Sequence, residues 1–276
     1  MKTIENVLTI SYRNLLKTLH NPEELLDVIF QPILFMILFG YLFGGAISGN
    51  VQSYLPIIVP GILMQALLSA ASGSGTQINE DLHTGIYNRF KSLPISDLSP
   101  LAGQLLADIF RLFIAACASV LTGFLMGWRP EAGFKWLVVV IILDIFIGWA
   151  ISWIFALYGL IAKNTTMVSS VSLMTMLILI FLSNAFVPVK TLPHFMQFLV
   201  KINPIAYVIQ SSRTMLNYGT WTTFIMDCFS IRSGNHYFIC SNHSICISKN
   251  VKNKTQSFLI VFFMLINVII YIKISL

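Results

Sequence analysis

Residues 79–94 read NEDLHTGIYNRFKSLP, a charged segment set between two long apolar runs. The run before it ends near Ile78, and the next begins near Leu101. In a chain that crosses a bilayer such a segment stays in water, so it is expected as a loop between two spans. Its ends suit a short helix. Asn79 is placed to cap it, Glu80 and Asp81 fall in the first turn, and Arg89 and Lys91 lie toward the C-terminal side, each charge favourable to the helix dipole. Gly85 is expected to interrupt this helix and let another backbone come close, and Pro94 to end it. The expectation is a short, bent, amphipathic piece at a membrane surface, open to a soluble partner.

The rest of the chain supports a membrane setting. Of 276 residues, 56% are hydrophobic and only 10% charged, against roughly 25% charged in soluble chains. The mean hydropathy is +0.79. A net charge of +6 is spread among apolar blocks without a basic stripe, which argues against a nucleic-acid partner. Residues 1–27 are polar and amphipathic with no cleavage-type region, so the first apolar run is expected to direct insertion itself.

In chain order, residues 3–20 place Ile4, Val7, Leu8, Ser11, Leu15 and Leu19 on one broad face, with Lys2, Arg13 and Lys17 at its flanks. This pattern predicts an interfacial helix in the headgroup layer. Asn21 and Pro22 turn the chain, and Glu23, Glu24 and Asp27 stand at the mouth of the first span. Spans are predicted over about 25–47, 54–78, 101–128, 134–161 and 167–189, each meeting the roughly 20 apolar residues a bilayer core requires. The small residues of Ala70–Gly75 suggest close helix packing. Residues 187–220 carry Pro188, Pro193 and Pro204 and are too broken to span, yet too apolar for a plain loop. Two short helices near 194–201 and 205–217 are expected to dip into the outer leaflet and return, buried in protein. The fold class is therefore an all-α polytopic bundle of about six transmembrane helices, with an N-terminal interfacial helix and re-entrant outer helices.

Two stretches carry a family resemblance. Ile78–Arg111, INEDLHTGIYNRFKSLPISDLSPLAGQLLADIFR, and Ser183–Leu216, SNAFVPVKTLPHFMQFLVKINPIAYVIQSSRTML, resemble the matching segments of type 2 ABC exporter permeases, nearest the daunorubicin-resistance-type drug-export group. The likeness covers residues 1–221. It implies an interfacial segment at 1–23 and a permease domain at 24–221. It also implies two permease subunits, as a homodimer or heterodimer, and separate ATP-binding subunits that hold ATP and magnesium. This chain would then need no cofactor of its own. Glu80, Gly85, Arg89 and Pro94 match the family's loop pattern and are implied to couple to the ATPase. Pro188, Pro193, Asn203 and Pro204 belong to the outer re-entrant segment, which in the family caps the translocation path. A hydrophobic drug or antibiotic-like substrate is implied, although exporters of lipid or polysaccharide share the architecture.

Orientation rests on lysines and arginines. With the N-terminus inside the cell membrane, Lys2, Arg13, Lys17, Arg89, Lys91, Arg111 and Lys163 face the cytoplasm, against Arg129, Lys135, Lys190, Lys201 and Arg213 outside. The bias is small and agrees in sign with the resemblance.

Few residues suggest chemistry. Asp144 sits mid-span, where a carboxylate costs roughly 2.5–3.5 kcal/mol to insert. It either contacts a cationic amphipathic substrate or is a packing residue facing Ser152, Ser169 or Ser172. Asn184 joins it as a candidate on the substrate path, with helix packing as the alternative. Asp108 and Arg111, three apart, form a plausible same-face structural pair. No H-E-x-x-H, G-x-S-x-G or phosphate-loop motif occurs, so an enzyme is not expected. An ion-coupled secondary transporter is the rival reading, although no internal repeat is visible.

Beyond Trp221 the character of the chain changes. Residues 222–276 contain no alanine and none of the ten prolines, but three of the four cysteines. The spacing of Cys240, His243 and Cys246 matches no standard zinc pattern, so no metal is expected. A frameshift in the gene would produce such a change; otherwise residues 257–272 are the sixth span.

Overall fold

The computed structural model describes residues 2–91, 99–187, 189 and 192–221. The chain divides into two units, Met1–Gly219 and Thr220–Leu276, and the helices below belong to the first. Pro94, Pro188 and the expected sixth span at 257–272 lie outside the described residues, as do Cys228, Cys240 and Cys246.

The described residues form α1 (Lys2–Leu19), α2 (Pro22–Ser48), α3 (Val51–His83), α4 (Ile86–Lys91), α5 (Ser99–Leu125), α6 (Phe134–Ile161), α7 (Thr165–Phe181), α8 (His194–Ile202) and α9 (Pro204–Tyr218). Four of them, the spans within α2, α3, α5 and α6, are long and apolar enough to cross a membrane. α3 is the central post. It packs against α2, α5, α6, α7 and α9 and buries most of its length, while α2 leaves Leu26, Phe30, Tyr41 and Leu42 exposed. In a bilayer that exposed apolar surface meets lipid rather than water.

Close packing around α3 depends on glycine. A Cβ on Gly159 of α6 would lie 2.3 Å from the Gly75 carbonyl oxygen, and one on Gly75 would lie 2.3 Å from the Phe155 carbonyl oxygen. The two backbones therefore touch, as the small-residue run at 70–75 predicts. Just below, the Asn79 side chain donates from Nδ2 to the carbonyls of Gly159 and Ala162 at 2.8 and 2.9 Å. These two carbonyls close the C-terminal end of α6, where intrahelical donors run out. The expected role of Asn79 as a helix cap is thus corrected: α3 runs on through His83, and Asn79 is a buried clamp between helices.

Two further expectations change. α1 turns Ile10, Asn14 and Thr18 toward the protein, mainly α5, and leaves Leu8, Tyr12, Leu16 and Leu19 exposed. The broad face expected from the sequence is therefore split, and its apolar part is left for lipid, as an interfacial helix requires. The fifth expected span, 167–189, stops as a helix at Phe181. Its 17 residues extend about 25 Å. The helix ends because Asn203 intercepts its carbonyls, donating from Nδ2 to Leu179 at 2.7 Å and Leu182 at 2.9 Å. The Asn203 Oδ1 also accepts from the Ile205 amide and so starts α9. Hydropathy located α8 and α9 to within two residues but not this interception.

Candidate functional site

Three features stand out on the first unit: an elbow at one end, a clamp on the broken segment after α7, and an open cleft between them.

The elbow is Thr84–Gly85. Gly85 has φ of +76°, a left-handed conformation that breaks the helix between α3 and α4. Among the described residues nothing lies within 4 Å of where its Cβ would stand. The demand for glycine within this chain is thus conformational. Beside the elbow, Lys17 of α1 reaches Asp81 at 3.1 Å and Glu80 at 3.4 Å. Asp81 is nearly buried and Glu80 more than half exposed, so α1 is tied to the end of α3 while one carboxylate stays in solvent. Arg89 is exposed on α4. Tyr87 lies against this corner, and burial, then the Asp81 charge, push its phenol above the usual range.

The clamp is built on Arg213, 8% exposed. Its Nη2 donates to the carbonyls of Asn184 at 2.5 Å and Ala185 at 2.8 Å, and its Nε to that of Ile57 at 2.8 Å. The Tyr54 hydroxyl donates to the Phe186 carbonyl at 2.6 Å. Unwound backbone at membrane depth needs such donors. The Ile57 carbonyl lies within α3, one residue after Pro56. Asn184 donates from Nδ2 to Gln210 and is buried at this junction. Pro193 precedes α8, and Pro204 opens α9.

Asp144 is 0% exposed, and the Ser212 hydroxyl donates to its two carboxyl oxygens at 2.9 and 3.2 Å. The partner is Ser212 of α9 and not Ser152, Ser169 or Ser172, because α9 folds back onto α6.

The cleft has a volume of about 380 Å³ and lies between α2, α3 and α7, with Arg111 of α5 at its back. Arg111 is 2% exposed, pairs with Asp108 at 2.9 Å and donates to Ser74 at 3.1 Å, as the three-residue spacing predicts. Asp27 and Gln31 of α2, Ser69, Ser72 and Thr76 of α3, and Ser169 and Ser172 of α7 supply polar lining. Gln31 accepts from Ser69. The sequence reading missed this cleft, although its signal was present. On each helix the polar residues recur three or four apart, which puts them on one face. What the sequence withheld was that the three faces meet.

Comparison with known proteins gives the family. The family model for the ABC-2 type transporter matches residues 5–217. The chain is 34% identical over 229 residues to a daunorubicin resistance ABC transporter permease of Streptomyces coeruleorubidus, covering 82% of this chain and 81% of that protein. It is 32% identical over 107 residues to a doxorubicin resistance ABC transporter permease of Mycobacterium tuberculosis, covering 39% of this chain and 37% of that protein.

Proposed function

The chain belongs to the ABC-2 type transporter family, and from that premise we propose that it is the permease of an ATP-driven exporter of hydrophobic drug-like molecules. It is a multi-pass membrane protein by family and by its apolar helices. In the proposed assembly a second permease, identical or different, completes the path. A separate subunit binds ATP and magnesium, and the N-terminus and the elbow lie on the cytoplasmic side. The proposed drug class follows from the daunorubicin and doxorubicin resistance relatives.

The observation that carries the reading is the linkage of the elbow to the bundle. Glu80, Gly85 and Arg89, with Pro94 further along, form the proposed contact for the ATPase. A push there reaches α3 directly and α1 through Lys17. Because α3 touches five other helices of the bundle, displacement of one post is felt throughout. Tightly packed helices shift as units rather than deform, so the push is transmitted. The outer segment held by Arg213 and Asn203 is then the proposed cap of the path.

The test is uptake of doxorubicin into inside-out vesicles from cells co-expressing the chain with a cognate ATP-binding subunit. ATP-dependent uptake that disappears when the ATPase's catalytic glutamate is replaced is expected. Uptake that follows an ion gradient without ATP would refute the reading.

A further inference from the structure

Of the two short helices after α7, only α9 is buried in protein as the sequence leads one to expect. It buries Ile205, Val208, Ile209, Met215 and Leu216, whereas α8 buries Val200 alone. Phe195 is 72% exposed, Phe198 62% and Ile202 54%. These three stand at i, i+3 and i+7, so they form one row along the helix. His194, Gln197 and Lys201 repeat the same spacing one residue earlier and make a polar row beside it. The backbone of α8, by contrast, is closed by the protein. The Asn203 amide donates to the carbonyls of Leu199 and Val200, both at 3.2 Å, and the Tyr207 hydroxyl to that of Lys201 at 2.9 Å. A helix whose last carbonyls are answered and whose phenylalanines are bare suits hydrocarbon better than water.

The level of α8 in the bilayer follows from α7. The Asn203 side chain ties the end of α8 to the carbonyls of Leu179 and Leu182 at the end of α7. That end lies about 25 Å along α7 from Thr165, in a hydrocarbon core about 30 Å thick. α8 therefore falls at the boundary between acyl chains and headgroups, where amphipathic helices rest with their apolar face about 5–10 Å deep. Charge selects the lipid. Residues 183–221 contain Lys190, His194, Lys201 and Arg213 and no aspartate or glutamate. Arg213 is engaged in the clamp, and Lys201 is exposed. We propose that α8 is a docking surface for the leaflet on its side, the outer one in the orientation proposed above. Phe195, Phe198 and Ile202 lie among the acyl chains, and Lys201 receives the phosphate of an anionic phospholipid. A second copy docked on this face about a two-fold axis would bring its own Lys201, with no carboxylate in the segment to meet it. The proposed cap is then held by lipid as well as by Arg213 and Asn203.

The experiment uses the full chain with its four cysteines replaced by serine, in nanodiscs without ATP or drug. Phe198→Cys carries a bimane label, and the quenchers are brominated phosphatidylcholine and brominated phosphatidylglycerol. Both lipids should quench, phosphatidylglycerol at about fivefold lower mole fraction, the preference expected of one lysine near an anionic surface. Lys201→Gln should make the two lipids equal, and Lys201→Arg should keep the preference. Phe195→Cys, labelled alike, gives a second reading from the same row, and thermal melts report whether each labelled chain folds. In a folded chain, a label that neither lipid quenches overturns the proposal. Iodide reaching it would then mean water on this face, and iodide excluded would mean a second copy or another protein. Equal quenching by the two lipids before Lys201 is changed also overturns it. Neither ATP nor substrate enters the readout, so failure of the export reading and failure of this one are seen separately.

Discussion

Replacing Arg213 with methionine removes the donor of three hydrogen bonds, to the carbonyls of Ile57, Asn184 and Ala185. Each bond involves a charged group and contributes about 1.5–3 kcal/mol net. Against that loss stands relief of the desolvation of a buried guanidinium, itself several kcal/mol. The balance is a destabilisation of about 3 kcal/mol. Lysine reaches fewer of these carbonyls, because a point ammonium cannot replace the fork that spans α3 and the segment after α7, so Arg213→Lys should fall between. Tyr54→Phe, which removes one neutral bond to Phe186, should cost about 1 kcal/mol, and the double variant should deviate from the sum because both hold the same stretch. The assay is unfolding by SDS in mixed micelles, followed by tryptophan fluorescence. Arg213→Met within about 0.5 kcal/mol of the wild type would refute the clamp.

Two further substitutions separate conformation from contact. At Gly85, Ala should cost about 1–2 kcal/mol for the left-handed backbone, and Asn, which tolerates that region, less. If the elbow docks closely on an ATPase, Asn and Leu should nevertheless both lose export in cell efflux assays while expressing normally, and wild-type efflux in Gly85→Leu would remove the elbow from the coupling path. At Gly159, Ala should cost about 1–3 kcal/mol, because its Cβ would meet the Gly75 carbonyl oxygen at 2.3 Å; an unchanged unfolding midpoint there would contradict the contact between α3 and α6.

The sequence by itself determined the membrane setting, the order of the helices and the elbow. Long apolar runs need a bilayer, Gly85 between two helical stretches marks a break, and Pro193 and Pro204 punctuate α8 and α9 in register with the chain. Each of those facts is local, carried by residues within a turn or two of one another. Tertiary structure decided where the polar side chains find partners. Asn79 looked like a cap and is a clamp on Gly159 and Ala162, eighty residues away. Asp144 finds its partner in Ser212 of α9, and Arg213, expected on a short outer helix, reaches back to the carbonyls of Asn184 and Ala185. Away from water every polar group must be answered by the protein, and the answer comes from whichever helix packs alongside. Hydropathy and periodicity say which face of a helix is polar. Only the packing of α2, α3 and α7 says that three such faces enclose one cleft.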